Sequence, residues 1–342
     1  MAMKILSVSI PCYNSASYME TCIRSLLPAG DDIEILIIDD GSTKDNTFEI
    51  AQRFEQQYPG IVRAIHQENA GHGGAVNTGI REATGVFFKN IDSDDWADTD
   101  VLLKIIGILK DLEKQCTGVD LFLANYVFDR EDSDKKTVMR FKGAFPKGRP
   151  FTWDEVGHMG QSQFIMMHTI IYRREVLLAS GTRLPEHAYY VDNVYAFQPL
   201  AFTKKIYYLD EALYHYRIGR ADQSVNVQVQ LKNIDQQIMV DKLITDIYVR
   251  RPKDLPAKLE KYLIAFVKLM YCATSAILLV GGSAEHLAKK EELWNYLKQA
   301  DPAAYKKIRH SFMGGWMNIP TALGRKISVG GYKLSQKIFS FN

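Results

Sequence analysis

Between Ile5 and Leu112, short and nearly continuous apolar runs alternate with stretches whose apolar residues recur at helical spacing. The runs Ile5–Ile10, Ile33–Ile38, Ile61–His66 and Val86–Ile91 read as strands buried on both faces. Ser17 followed by Glu20 has the form of a capping box and predicts a helix from Tyr18 to Leu27, stopped by Pro28. Asn46 is the expected cap of a second helix, with Ile50, Phe54 and Tyr58 on one face. Asn69-Ala-Gly-His-Gly-Gly74 leads into a short helix through Ala83 that stops at Gly85. Asp98 starts a fourth helix carrying Leu102, Ile105, Leu109 and Leu112. Strands alternating with helices in this way predict an α/β fold, a mostly parallel, doubly wound sheet. Ligands of such sheets bind outside the carboxyl ends of the strands.

The pattern changes after Val119. Val119–Val127 reads as a strand and Thr137–Phe141 as its return across the charged turn Asp129–Lys136. Thr152 with Glu155 is a second capping box, Thr169–Tyr172 a further strand, and a short helix ends at Gly181. From Val225 the text is helical, with the polar hinge Arg250–Pro256 between two helices. The longest apolar stretch, Tyr262–Gly282, carries Lys268 near its middle and reads as a buried amphipathic helix rather than a membrane span. The expected organisation is an α/β domain over residues 1–224 and a mainly helical region over 225–342.

Composition adds limits. The 342 residues are 46% apolar and 24% charged, ordinary globular values, and a net charge of +2 gives no argument for a nucleic-acid partner. Cys12, Cys22, Cys116 and Cys272 lack metal-ligand spacing, which suits reduced thiols in the cytoplasm. The run Ile5–Ile10 is short for a secretion signal and continues into Pro11-Cys-Tyr-Asn14 without a small-residue cleavage site.

The chemistry concentrates at strand ends. Asn14 follows the first strand, Asp39 and Asp40 the second, and Asp92, Ser93, Asp94 and Asp95 the fourth. Carboxylates packed this closely repel one another unless a cation or donor groups share the site. Mg²⁺ typically takes one or two carboxylates and completes its shell with waters and substrate phosphates. A solvated acidic turn ahead of the Asp98 helix is the bland alternative.

Five ordered motifs carry a resemblance: Ser9-Ile-Pro-Cys-Tyr-Asn14, Ile38-Asp-Asp-Gly-Ser-Thr43, Asn69-Ala-Gly71 with Asn77-Thr-Gly79, Ile91-Asp-Ser-Asp-Asp-Trp96, and Tyr190-Val-Asp-Asn193. Over residues 4–217 the chain resembles the family 2 glycosyltransferases of the GT-A fold, the bacterial type that builds surface polysaccharides and glycoconjugates. The resemblance implies an inverting, metal-dependent transfer of sugar from a nucleotide-diphosphate donor, UDP-linked, to a saccharide or lipid-linked acceptor. It places Pro11, Tyr13, Asn14, Asp39, Asp40, Ser42, Asn69, Gly71, Asn77, Asp92, Ser93 and Arg217 around the nucleotide sugar, Asp39 accepting from uracil. It gives Asp94 and Asp92 to Mg²⁺ or Mn²⁺, and Asp192 the role of catalytic base. The stretch from Tyr216-Arg217 to Gln223-Ser224 resembles a segment that approaches the donor diphosphate. One departure stands out: many family members carry Arg where this chain has Val76, leaving Arg81 or Lys89 as substitutes.

A sugar nucleotidyltransferase would want a basic, Gly-rich loop after the first strand, and a dehydrogenase a Gly-x-Gly-x-x-Gly there; neither is present. A nucleotide-sugar-binding subunit without activity of its own is the other alternative. His72 reads as a loop residue, His168 and His187 as structural or acceptor-facing, and Trp96 as a packing anchor. From Asp301 onward Lys306, Lys307, Arg309, Arg325, Lys326, Lys333 and Lys337 alternate with apolar residues. That suits either peripheral contact with anionic lipid at the inner face of the cell membrane or packing on the catalytic domain. Self-association is left open.

Overall fold

The unbroken Ile, Leu and Val runs form the centre of one mixed sheet because both of their faces are covered. The structure, a computed structural model, describes residues 3–130, 136–160, 163–218, 227–321, 324–325 and 329–331. Contacts divide the chain into two compact units, Met1–Ile218 and Gly219–Asn342. The boundary expected at 224/225, the turn residues 131–135, Gln223, Ser224 and, in the basic tail, Lys326, Lys333 and Lys337 lie outside the described residues.

In the first unit β1 (Leu6–Cys12), α1 (Met19–Leu26), β2 (Ile33–Asp39), α2 (Thr47–Gln57), β3 (Val62–His66), α3 (Gly71–Glu82) and β4 (Phe87–Asn90) follow the predicted alternation. A two-residue strand β5 (Trp96–Ala97) and α4 (Thr99–Lys114) come next, then β6 (Leu121–Arg130), β7 (Thr137–Met139), β8 (Pro150–Thr152), β9 (Ile170–Arg173), α5 (Arg174–Ala179), α6 (Asp192–Phe197) and β10 (Lys205–Ile218). The sheet order is β3-β2-β1-β4-β9-β6-β10-β5, with β7 beside β6 and β8 beside β10. β3, β2, β1 and β4 are parallel neighbours. β9 enters antiparallel to both β4 and β6, whereas β10 and β6 run parallel. The sheet is therefore parallel on the side that carries the first three motifs and mixed beyond β4. The first unit is thus an α/β domain and the second is helical, as expected.

Local signals fared unequally. Asp98 caps α4, accepting from Val101 N at 3.0 Å, and Thr152 N donates to Glu155 at 3.0 Å. The Ser17–Glu20 capping box does not form: Tyr18 stands at the cap of α1 and makes no side-chain cap bond. Glu20 is drawn instead to Arg24 and Arg53, two cations that outcompete a single backbone N–H. Asn46 likewise leaves its cap unbonded, and the neighbouring Asp45 takes Thr47 N at 3.1 Å and Ala16 N at 3.0 Å. β1 continues through Pro11 to Cys12, two residues past the expected stop.

The second unit holds α7 (Val227–Lys232), α8 (Ile234–Arg250), α9 (Ala257–Gly281), α10 (Ala284–Ala300), α11 (Pro302–Arg309) and α12 (Phe312–Trp316). Ser283, Asp301 and Ser311 cap the last three through side-chain oxygens. α9 is long and apolar enough to cross a membrane by length and composition, and 72% of its apolar window is buried among its neighbours. A polar seam runs through this packing. Thr245 and Tyr271 hydroxyls meet at 2.8 Å, Trp294 Nε1 donates to Ser275 at 2.9 Å, and Asp241 is fully buried with Oδ2 unpartnered. Burial pushes the Asp241 carboxyl up to about 7.

Candidate active site

The polar motifs meet where β1, β2, β3 and β4 end. Asn14 adopts a left-handed φ of 49°. That conformation lets its N–H donate to Ser42 Oγ at 2.9 Å while its side-chain oxygen accepts from Thr43 N at 3.2 Å and Lys44 N at 3.0 Å. One residue thus ties the loop after β1 to the loop after β2. Pro11 is buried beneath it and Tyr13 is exposed. Ser15 Oγ reaches Ser93 Oγ at 3.0 Å, joining the first loop to the acidic turn.

Asp39 and Asp40 have separate fates. Asp39 Oδ2 lies 2.6 Å from His66 Nδ1, and its other oxygen accepts weakly from Ser42 N at 3.3 Å. Asp40 Oδ1 accepts from Gln67 Nε2 at 2.7 Å and Ala70 N at 2.9 Å, while Asn69 Nδ2 donates to the Asp40 carbonyl at 2.8 Å. Asp40 and Asn69 therefore hold the 67–70 loop in place.

The glycines ahead of α3 answer to close packing. A Cβ on Gly73 would stand 2.1 Å from the Pro185 carbonyl oxygen. At Gly71, whose φ is +75°, it would stand 2.8 Å from His187 N. The 184–188 segment lies directly on the start of α3, and His187 N donates to the Ala70 carbonyl at 2.8 Å. Asn77 completes the clamp, its amide donating to Leu184 O and accepting from Leu184 N, each at 2.9 Å. Its polar atoms are engaged with backbone, as is Asn69 Nδ2. His187 and Tyr190 both take left-handed φ, 51° and 66°, on the way to Asp192. Non-glycine residues held this way collect at functional loops.

The structure sorts the three carboxylates after β4. Asp95 is 1% exposed, bound by the Tyr214 hydroxyl and by Arg217 N at 2.8 Å. It anchors β10 to the acidic turn. Asp92 and Asp94 stay half-buried. Asp92 accepts from Asn90 Nδ2 at 3.3 Å and lies 3.8 Å from His72 Nε2. Burial raises the Asp92 carboxyl above its usual range, with Asp94 adding to the shift and His72 opposing it. Asp192, the first residue of α6, is raised by burial too; His72 lowers it and Asp92 raises it. His72 thus stands in the fields of both carboxylates, although its sequence neighbours suggested only a glycine loop. Lys89, fully buried, donates to the His168 and Ile170 carbonyls at 3.0 and 3.2 Å, and burial pulls it down to about 7.

Asp92 and Asp94 offer hard oxygen donors two residues apart and half-buried, the donor chemistry Mg²⁺ or Mn²⁺ accepts. Among the described residues no group of three or more His, Cys, Asp or Glu is placed to hold a metal unaided. The residues fit a cation whose shell is completed by waters and substrate phosphates.

Other expectations resolve by packing. His168 is half-buried and packs against the rings of Tyr126, Tyr214 and Tyr216 at 5.1, 4.8 and 4.6 Å, so it belongs to the structure under the site. Trp96 stacks on His215 at 5.2 Å with the Arg217 guanidinium 5.4 Å from its ring. Val76 is fully buried, so its side chain cannot take the place of the Arg. Arg81 turns to Thr78 and Glu82, and Lys89, spent on backbone carbonyls, acts on Asp92 only through its field. His66 passed unremarked in the sequence. Its place at the carboxyl end of the third strand was the available signal.

Comparison with known proteins follows this geometry. The family model described as "Glycosyl transferase family 2" matches residues 7–177. A putative glycosyltransferase EpsH of Bacillus subtilis (strain 168) is 30% identical over 231 residues, 62% of this chain and 60% of that protein. The match therefore spans less than two thirds of that relative's length. An uncharacterized glycosyltransferase alr2836 of Nostoc sp. is 30% identical over 260 residues, 72% of this chain and 76% of its own. Among solved structures, S. aureus TarS 1-349 in complex with UDP-GlcNAc superposes with a TM-score of 0.70 at 16% identity, covering 97% of this chain and 92% of that one.

Proposed function

The chain belongs to glycosyltransferase family 2, and on that premise we propose that it moves a sugar from a UDP-linked donor to a hydroxyl of a saccharide or lipid-linked acceptor, with inversion, in the synthesis of a surface polysaccharide or glycoconjugate. The observation that carries this reading is the gathering of Asp92 and His72, 3.8 Å apart, at the carboxyl end of the sheet, with Asp192 in the fields of both. Asp39, Asp40, Asn14 and Ser42 shape the nucleoside end, and the structure of TarS with UDP-GlcNAc supports a uridine donor.

Asp94 and Asp92 would hold Mg²⁺ or Mn²⁺, which when bound neutralises charge on the leaving diphosphate. Asp192 takes the proton from the attacking acceptor hydroxyl. Its raised basicity, caused by burial, suits a carboxylate to that transfer. The acceptor oxygen bonds to the anomeric carbon as the bond to the diphosphate oxygen breaks on the opposite face, so configuration inverts. His72, in the first turn of α3, stands 3.8 Å from Asp92. In the second unit the basic end of α11, with Lys306, Lys307 and Arg309, lies next to Phe312, which is 78% exposed. That mix supports peripheral binding to anionic lipid at the cytoplasmic face of the membrane.

The test is product formation from a panel of nucleotide sugars with and without Mn²⁺, run with the wild type and Asp94→Asn. Transfer from a UDP-sugar that needs metal and is lost in the variant is the expected result. Binding without any product, or full activity in chelator, would overturn the reading.

A further inference from the structure

We propose that the second unit carries a phosphate-binding site, built from Lys290, Arg309 and Arg325 around the turn that holds Asn318. The three cations come from separate places in the chain: Lys290 from α10, Arg309 from the end of α11, and Arg325 from beyond α12. Asn318 draws them together. Lys290 Nζ donates to Asn318 Oδ1 at 2.6 Å, and Arg309 Nη2 donates to the Asn318 carbonyl at 3.2 Å. Asn318 Nδ2 donates in turn to the Gly314 carbonyl at 2.9 Å, which aims the amide oxygen at the lysine. Arg325 Nη1 donates to the Pro320 carbonyl at 3.2 Å, two residues along the same turn. Lys306 and Lys307 are exposed, whereas Lys290, Arg309, Arg325 and Asn318 are half-buried, so this is a site distinct from surface docking through the two lysines.

Every acceptor these cations use is neutral. Elsewhere in the same unit Lys242, Arg251 and Lys289 each pair with a carboxylate, but among the described residues Lys290, Arg309 and Arg325 do not. Burial pulls the Lys290 ammonium down to about 8; Arg309 and Arg325 push the same way, and Glu291 and the Cys272 thiol oppose them. Like charges gathered away from water repel unless an ion of opposite sign shares the site. Each of the three spends one N–H on the turn, where a lysine has three and an arginine five, so donors remain for an anion's oxygens. Guanidinium forks match phosphate two bonds at a time, and a phosphate dianion offsets more of this charge than a carboxylate does. Phe312, 78% exposed and 5.6 Å from the Trp316 ring, stands on the helix that leads into the turn. The phosphate can therefore be free or belong to a lipid headgroup whose acyl chains meet that ring.

The experiment is calorimetric titration of the full chain with inorganic phosphate in chelator, with acetate at matched ionic strength as the control. It compares the wild type, Lys290→Met, Lys290→Arg and Arg325→Gln, each checked for its fold by circular dichroism. Phosphate should bind the wild type and acetate should bind far less. Lys290→Met and Arg325→Gln should each weaken phosphate binding by about tenfold or more, the loss of one charge-assisted hydrogen bond, and Lys290→Arg should retain most of it. A second arm measures co-sedimentation with phosphatidylcholine vesicles with and without phosphatidic acid. If phosphatidic acid draws down the wild type more than Lys290→Met, the phosphate is a headgroup. If the two sediment alike while free phosphate separates them, it is soluble. Either result supports the site. Equal phosphate affinity together with equal sedimentation of wild type and Lys290→Met overturns it, and so does acetate binding as well as phosphate, which would show charge screening alone. Should Lys290→Met not fold, Arg325→Gln decides by the same comparisons. Neither arm involves sugar transfer, so failure here leaves that reading untouched.

Discussion

Replacing Asn77 with Ala separates two roles for one residue of a recognised motif. The resemblance puts Asn77 around the nucleotide sugar, but both faces of its amide are spent on Leu184, as donor to O and acceptor from N at 2.9 Å. Leu184 is 1% exposed, so Asn77→Ala strands a backbone N–H and C=O. Asn77 itself is half-buried and water can partly replace it. The low end of the usual range then applies, about 1 kcal/mol per bond and about 2 kcal/mol in all. For a unit of this size that is a drop in Tm of about 4–8 °C. The clamp also fixes the segment that leads to Asp192, and small misplacements of a catalytic group cost up to about 10²-fold. The expected signature is lower Tm and lower kcat with donor Kd unchanged, measured by scanning calorimetry, steady-state kinetics and calorimetric titration. Asn77→Asp keeps the acceptor for Leu184 N and should lose less stability. An unchanged Tm with a weakened donor Kd would refute the clamp and return Asn77 to the nucleotide.

Asp192→Asn should keep donor affinity and lower turnover by about 10²-fold or more, as loss of a general base does; near-normal kcat would remove it from that role. Asp241 gives a pH dependence. Its folded value, about 7, lies above the ordinary carboxyl value, so its contribution to stability is fully present below about 4 and disappears as pH rises to 7. Asp241→Asn, read against wild type by hydrogen exchange of α8 and α9, should therefore gain relative stability between those pH values by up to about 1.4 kcal/mol per pH unit; a flat difference would show the carboxyl is not buried neutral. Lys306→Glu with Lys307→Glu should reduce co-sedimentation with anionic vesicles at low salt, each lysine being worth about 1 kcal/mol near such a surface; equal sedimentation of variant and wild type would refute membrane docking through α11.

Sequence alone determined the parallel half of the sheet and the strand ends at which its polar residues gather. Buried parallel strands must be apolar throughout, and their carboxyl ends are where polar residues can stand, so Ile33–Ile38 followed by Asp39 is legible without coordinates. Local caps were legible only where nothing stronger competed. Asp98 kept its backbone partner, while Glu20 was taken by Arg24 and Arg53, the latter 33 residues away. Tertiary structure decided the division of labour among like residues. Asp92, Asp94 and Asp95 read alike along the chain, yet Tyr214 and Arg217 on β10 claim Asp95, 119 and 122 residues away. The glycines at 71 and 73 suggested a loop, and the Pro185 and His187 backbone lying on them supplied the reason. His66 was silent in sequence because a histidine takes its role from the partner at its ring nitrogen. That partner, Asp39, is set by strand register.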